Sequence, residues 1–118
     1  METTNLNIKV SKEDNIVVIE LEGDLDLYNA EKLKKEFYKA IDENIKNIIV
    51  SFAKVEYIDS SGVGALLHGH MKLKKTNGRL HITNVYGSVK KLFELTQISH
   101  FLNIFETTHE AIRRIRNY

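Results

Sequence analysis

The chain has 118 residues, 42% of them hydrophobic, which is enough for a single domain with one core spanning positions 1–118. Seventeen lysines and arginines against 16 acidic residues give a net charge of +1, so the overall balance gives no support to direct binding of nucleic acid or of an anionic membrane. Cysteine is absent, which excludes disulfides, thiolate zinc sites and cysteine nucleophiles.

The amino terminus does not read as a secretory signal, because residues 1–5 lack a basic segment followed by an apolar one. No apolar run approaches the roughly 20 residues that a membrane helix needs. We therefore expect a cytoplasmic protein that has no membrane partner.

Two strands open the predicted fold, Leu6–Val10 and Ile16–Leu21, separated by a polar turn over residues 11–15. The second strand begins with four consecutive apolar residues, which is typical of a central strand. Apolar residues then recur at helical spacing from Ala30 to Ile41, with charged residues between them, and this pattern predicts an amphipathic helix packed on a sheet.

The second half of the chain continues to alternate strands and helices. Residues 47–52 predict a buried strand, and a helix follows from Gly62 to Lys75, with its end at Asn77-Gly78. Four residues are expected on the inner face of that helix: Val63, Leu66, Leu67 and Met71. A strand at 80–83, a short helix at 88–95, an edge strand at 103–105 and a final helix complete the prediction, the last one opened by a capping box from Thr107 to Glu110. This order predicts an α/β fold with a mostly parallel sheet of four to five strands and about four helices.

The segment from Tyr57 to Gly64 reads Y-I-D-S-S-G-V-G and lies between a buried strand and a helix. One interpretation is purely structural: Asp59 or Ser60 caps the helix, and Gly62 and Gly64 permit close packing. The other is functional, because a serine hydroxyl at the positive end of a helix is a suitable acceptor for a phosphoryl group.

Three catalytic or nucleotide-binding motifs do not fit this segment. A nucleophile elbow around Ser61 would need glycine where Asp59 stands. A dinucleotide fingerprint would need glycine or alanine where Leu67 stands. No Gly-Lys-Ser/Thr triplet is present for a phosphate-binding loop. Catalysis and tight nucleotide binding therefore lose support.

A second polar segment, Gly23 to Ala30, carries Asp24 and Asp26. Its structural interpretation is helix capping by Asp26 or Asn29. Paired carboxylates also serve acid–base chemistry or metal binding, but no histidine at ligand spacing accompanies them, and we expect no metal site and no cofactor. Because loops that follow parallel strands emerge at the same end of a sheet, we expect these carboxylates to share a surface with Asp59 and Ser60.

The remaining charged residues are interpreted as solvated faces. The five histidines form no metal-binding pattern and are expected at surface or boundary positions. Two basic clusters are each expected to lie on an exposed face: Lys72, Lys74, Lys75 and Arg79 in the first, Arg113, Arg114 and Arg116 in the second.

Taken together, residues 23–26, 48–52 and 57–64 resemble the STAS domain of bacterial anti-sigma factor antagonists, and the similarity extends over roughly positions 3 to 117. The resemblance implies a non-enzymatic regulator whose unphosphorylated form binds an anti-sigma factor that is also a serine kinase, so that sigma factor is released. It implies that Ser60 is the phosphoacceptor and that a serine phosphatase reverses the modification. The kinase supplies the ATP site, so no catalytic residue is expected in this chain.

The resemblance also implies a partner-binding surface around Ser60, with Asp26 helping to engage the kinase. The predicted surface comprises Asp24, Asp26, Asp59, Ser61, Gly62, Val63 and Gly64. One departure from the family is Thr96-Gln97-Ile98, where glycine is common after the third helix. The alternative is a STAS scaffold subunit of a lipid-transport or other signalling complex, in which Ser60 is only a helix cap.

Overall fold

The computed structural model describes residues 5–117, which form five strands, four helices and a short 3₁₀ turn. In chain order the elements are β1 (Leu6–Glu13), β2 (Ile16–Leu25), α1 (Ala30–Asp42), β3 (Asn47–Ile58), α2 (Ser60–Lys74), β4 (Arg79–Thr83), α3 (Gly87–Thr96), the 3₁₀ turn (Ile98–His100), β5 (Asn103–Phe105) and α4 (Thr108–Arg116). The strands form one sheet in the order β1-β2-β3-β4-β5. Strands β1 and β2 are antiparallel, and the other neighbouring pairs are parallel. The predicted fold class, strand number and helix number are confirmed.

The first three strands are longer than predicted. The expected turn over residues 11–15 is wrong, because the hairpin needs only Asp14 and Asn15, and Asp14 takes a left-handed conformation with φ 56°. Strand β2 continues to Leu25 and β3 to Ile58, with register shifts in their pairing after Glu20 and after Gly23. These irregularities let both strands run on to the edge where the polar segments lie.

Helices α1, α2 and α3 cover one face of the sheet. Phe37 of α1 and Leu66 of α2 are fully buried there, and the Phe52 and Phe93 rings meet edge to face with centroids 5.5 Å apart. Met71, predicted on the inner face of α2, is 63% exposed, so that prediction is wrong. α2 ends at the predicted place, where Asn77 has a φ of 65°.

Helix α4 packs on the opposite face, where Ala111 contacts a small apolar cluster that includes Val18 and Ile49. The Thr107 hydroxyl oxygen accepts a hydrogen bond from the Glu110 backbone N–H at 3.0 Å, which confirms the predicted start of this helix. At the end of α3, Gln97 adopts φ 54°, the left-handed conformation that suits glycine. In this chain a glutamine occupies the left-handed position.

Candidate functional site

The two polar segments meet where β2 and β3 end side by side. Asp24 pairs with Tyr57, and Leu25 pairs with Ile58 in the parallel ladder. Just beyond the strands, the Asp59 backbone N–H donates to the Leu25 carbonyl oxygen at 3.2 Å. Asp24, Asp59 and Ser60 therefore lie at one edge of the sheet, as expected, whereas the Asp26 side chain is buried and does not join their surface.

Asp59 is the N-cap of α2 and also fastens the neighbouring loop. Its Oδ1 accepts hydrogen bonds from the N–H groups of Ser61, at 2.9 Å, and Gly62, at 3.1 Å. Its Oδ2 accepts from the Leu27 N–H at 3.2 Å. One carboxylate thus satisfies two N–H groups of the first helical turn and links that turn to the loop after β2.

Ser60 is the first residue of α2, and its side chain is exposed. Within residues 5–117 its hydroxyl makes no hydrogen bond, whereas the neighbouring Ser61 is half-buried. Because Asp59 takes the capping position, the interpretation of Ser60 as the helix cap is wrong. The Ser60 hydroxyl is accessible for chemical modification without loss of a structural contact.

The two glycines of this segment differ in their surroundings. A Cβ added to Gly62 would lie 2.8 Å from the Leu25 carbonyl oxygen and 2.6 Å from Ile58 Cγ1, so the close-packing interpretation holds there. A Cβ on Gly64 would meet no atom within 4 Å, and the same interpretation is wrong for that exposed position. Val63, between them, is buried in the core.

Asp26 and Asn29 stabilise the loop between β2 and α1 from inside. Asp26 is 6% exposed; its Oδ1 accepts from the Tyr28 N–H at 3.0 Å, and its own N–H donates to Asn29 Oδ1 at 2.8 Å. The Asn29 side-chain amide in turn donates to the Asp24 carbonyl oxygen at 2.6 Å. Capping of α1 by the Asn29 side chain is wrong, because Asn29 occupies the N-cap without such a bond. The Asp26 backbone carbonyl accepts from the Ala30 N–H, the first of the helix, at 2.9 Å. Asp26 therefore shapes the loop, while Asp24 is half-buried in a shallow groove.

Exposed apolar side chains border this site, and sequence reasoning missed them. Leu27 and Tyr28 are 68% and 62% exposed on the loop that Asp59 holds. Tyr57 and Tyr86 are 50% and 45% exposed, and Tyr86 lines the groove that contains Asp24. The sequence signal that could have indicated them is their position within three residues of the ends of β2, β3 and β4, the strands that lead to this edge. Aromatic side chains rimmed by polar groups are typical of protein–protein interfaces.

One histidine departs from the expected surface or boundary position. His81, on β4, is 4% exposed, and burial together with the nearby Arg79 lowers its pKa to about 4. It lies toward the other end of the sheet from Ser60. Among residues 5–117, no three histidine or carboxylate side chains are grouped so that they could hold a metal ion.

The fold and this site define a small α/β domain that presents a capped serine turn and an apolar surface at one edge of a mostly parallel sheet. The chain belongs to the STAS domain family, whose profile matches residues 7–111. It is 27% identical over 104 residues to the anti-sigma-B factor antagonist of Staphylococcus aureus (strain NCTC 8325 / PS 47), a match that covers 88% of this chain and 96% of the relative.

Solved structures agree with this assignment. The anti-sigma factor antagonist SpoIIAA in its unphosphorylated form is 28% identical and superposes with a TM-score of 0.76, over 97% of this chain and all of that one. The phosphorylated form of the Bacillus cell fate determinant SpoIIAA has a TM-score of 0.73 at 28% identity, over 92% of this chain and 99% of that one. An anti-sigma factor antagonist from Mycobacterium paratuberculosis shares the fold, with a TM-score of 0.85 at 19% identity and 95% of each chain covered. In the described part of this chain, no helix has the length and hydrophobicity needed to span a bilayer.

Proposed function

We propose that this protein is a cytoplasmic anti-sigma factor antagonist whose binding state is set by phosphorylation of Ser60. Its unphosphorylated form binds an anti-sigma factor that is also a serine kinase, and sigma factor is released. The kinase transfers the γ-phosphoryl group of ATP to Ser60, and a serine phosphatase removes it. The observation that carries this proposal is the exposed Ser60 hydroxyl at the start of α2, beside an apolar surface. The names of the relatives, and the two phosphorylation states of SpoIIAA, support it.

The surroundings of Ser60 favour a phosphorylation switch that acts by changing the charge of the partner-binding surface. Two backbone N–H groups of the first turn of α2, those of Ser61 and Gly62, already donate to Asp59. A phosphoryl group would add about −1.5 to −2 charges beside that carboxylate. The helix dipole offsets part of this cost in the free protein. A docked partner would have to desolvate both negative groups, which opposes binding.

The predicted partner-binding residues take two different roles in this proposal. Asp24 and Gly64 are accessible for contact, together with the exposed Leu27 and Tyr28. Asp26, Gly62 and Val63 are buried and act by shaping the surface from beneath. Asp59 and Ser61 are half-buried like Asp24, and the Asp59 carboxylate accepts from the Ser61 N–H while it holds the neighbouring loop. Asp26 in particular supports kinase binding through the loop conformation, because its side chain is buried.

The test is incubation with the cognate kinase and ATP, followed by localisation of phosphate by mass spectrometry. Ser60→Ala should abolish labelling, and Ser61→Ala is the matched control that should retain it. Partner affinity should fall for Ser60-phosphorylated protein and fall less for Ser60→Asp, because a carboxylate has less charge and fewer acceptor oxygens. Labelling at Ser61, or equal affinity of the two phosphorylation states, would contradict the proposal. Stable binding to a transport complex without any labelling would favour the scaffold function instead.

A further inference from the structure

A concave groove of about 630 Å³ lies at the end of the sheet opposite Ser60, between the starts of β3, β4 and β5 and helix α4. The 12 residues of β3 separate the groove from Ser60, a distance of roughly 35 Å at strand rise. Its wall contains three cationic side chains, Lys46, Arg79 and Arg114, and no carboxylate residue among those described. The groove is therefore separate from the proposed phosphorylation site and strongly biased in charge.

The cations converge from distant parts of the sequence. Lys46 precedes β3, Arg79 opens β4 and Arg114 lies on α4, so each of the two basic clusters of the sequence contributes an arginine to one groove. Within residues 5–117, none of the three pairs with a carboxylate; Lys46 Nζ donates to the Thr76 carbonyl oxygen at 2.7 Å, and the Arg114 guanidinium lies 6.0 Å from the centre of the Phe105 ring. Three unneutralised positive charges on a concave surface favour an anion.

A buried residue fixes the polar floor of this groove. His81 Nε2 lies 3.0 Å from Asn47 Oδ1, and its Nδ1 lies 3.4 Å from Asn103 Nδ2. Its pKa of about 4 keeps the ring neutral at pH 7, so Nε2–H donates to Asn47 and Nδ1 accepts from Asn103. Both amides line the groove and are held in place before any ligand arrives.

An adjoining depression extends the basic surface. It shares Asn77, Arg79 and Asn103 with the first groove and adds Lys74 and His70. The Nδ1 atom of His70 is buried and has no hydrogen-bond partner among the described residues. Arg79 thus stands between two depressions that both offer polar groups to a ligand.

We propose that this basic groove binds a small organic molecule that carries a phosphate group. Guanidinium groups bind phosphate through paired, charge-assisted hydrogen bonds, and the asparagine amides add neutral donors. Phe105, Ile104 and Ile115 provide an apolar wall for the rest of the ligand. A volume of about 630 Å³ suits a small molecule, and the concave shape is poorly matched to a flat membrane.

Inorganic pyrophosphate is the simplest probe, titrated into ¹⁵N-labelled protein and followed by backbone NMR. We expect saturable shifts at Lys46, Arg79, Asn103 and Arg114 and none at Ser60. Arg79→Gln and Arg114→Gln should each weaken binding by about tenfold or more, the loss expected for a charge-assisted contact. Arg113→Gln, an exposed neighbour outside the groove, is the matched control and should bind like the parent protein.

The same spectra report whether each variant is folded. Shifts that do not saturate, shifts spread over all surface lysines, or an equal loss in Arg113→Gln would overturn the proposal. So would failure of pyrophosphate to bind while an RNA oligonucleotide or anionic vesicles shift the same residues.

Discussion

Replacing Gly62 or Gly64 by alanine, in two separate variants, should change the free energy of unfolding in opposite directions. Gly64 is exposed inside α2 and has no neighbouring atom within 4 Å of a new Cβ, so Gly64→Ala should gain about 0.5–1 kcal/mol from the better helix propensity of alanine. Gly62 lies equally within the helix but is buried against Leu25, the last residue of β2. The same substitution there must displace neighbouring atoms.

The stability loss expected for Gly62→Ala follows from the atoms that surround the new Cβ. One atom near the new Cβ is the Leu25 carbonyl oxygen at 2.8 Å, which moves only if the backbone moves, and the others belong to the buried side chains of Leu25 and Ile58. Overpacking typically costs about 1–3 kcal/mol, and the helix-propensity gain of up to about 1 kcal/mol offsets part of it. We expect Gly62→Ala to lose about 1–2 kcal/mol net.

Urea denaturation of both variants measures the difference in their free energies of unfolding, which should be about 1.5–3 kcal/mol. Backbone NMR should show changes at Leu25 to Asn29 in Gly62→Ala and not in Gly64→Ala. A Gly62→Ala protein as stable as the parent, or a destabilised Gly64→Ala protein, would refute the reasoning that only Gly62 is held by close packing.

Three further substitutions test other contacts. Asp59→Ala should lower the free energy of unfolding, measured in urea, by about 1–3 kcal/mol, because the Asp59 carboxylate accepts from three backbone N–H groups. Asp59→Asn should lower it less, and unchanged stability of Asp59→Ala would show that these hydrogen bonds do not stabilise the fold. The pKa of His81 is about 4 when folded against 6.5 when unfolded, so the unfolded state binds the proton more readily and stability should fall by about 3 kcal/mol as pH drops from 6.5 to 4. In His81→Gln the free energy of unfolding should change less between pH 7 and pH 4 than in the parent protein. The same pH dependence in both proteins would contradict this assignment to His81. Gly69→Ala should cost about 1–3 kcal/mol by overlap with the buried Phe37 ring, and Phe37→Leu in the same chain should recover part of the loss; additive losses would argue against direct contact.

The sequence was sufficient to predict the α/β architecture because local periodicity and topology agree. The apolar spacing from Ala30 to Ile41 and the four apolar residues from Ile16 to Ile19 indicate a helix and a central strand without reference to the rest of the chain. Alternation of such elements then requires parallel strands, whose following loops meet at one edge. Asp24 and Asp59 follow two such strands and are therefore predicted to lie at the same edge.

The end of β3 and the N-cap residue of α2 were not predicted, because both depend on contacts between residues that are distant in sequence. Beyond Phe52, β3 continues through a polar stretch in which only Val55 and Ile58 are buried, and its pairing with β2 shifts register, so no regular alternation marks its end. Asp59 and Ser60 are both suitable capping residues, and the choice depends on backbone angles that the sequence leaves open. Asp59 holds an extended φ of −113°, which places Ser60 in the first helical turn.

The burial of His81 and the grouping of the basic residues in one groove also depend on contacts between segments that are distant in sequence, so neither could be predicted. The segment Leu80 to Thr83 alternates apolar and polar residues, a pattern that predicts one solvated face. The strand is instead covered on both faces, and His81 finds hydrogen-bond partners on β3 and β5. No local pattern reports that Arg79 and Arg114 will line one groove.

Although the net charge is only +1, the acidic and basic residues are unevenly distributed between the two ends of the sheet. At the Ser60 end, Asp24 lies in a groove with Glu22 and Glu56, accompanied by Lys54, and Asp59 lies next to the acceptor serine. At the opposite end, Lys46, Arg79 and Arg114 line a groove without carboxylates among the described residues. Phosphorylation at Ser60 would increase this asymmetry without touching the basic groove. Because charges roughly 35 Å apart are well beyond the Debye length of about 8 Å at physiological salt, occupation of one end should not change affinity at the other through direct Coulomb interaction. Coupling between the two ends would require elements that span this distance, and β2, β3 and α2 all do so.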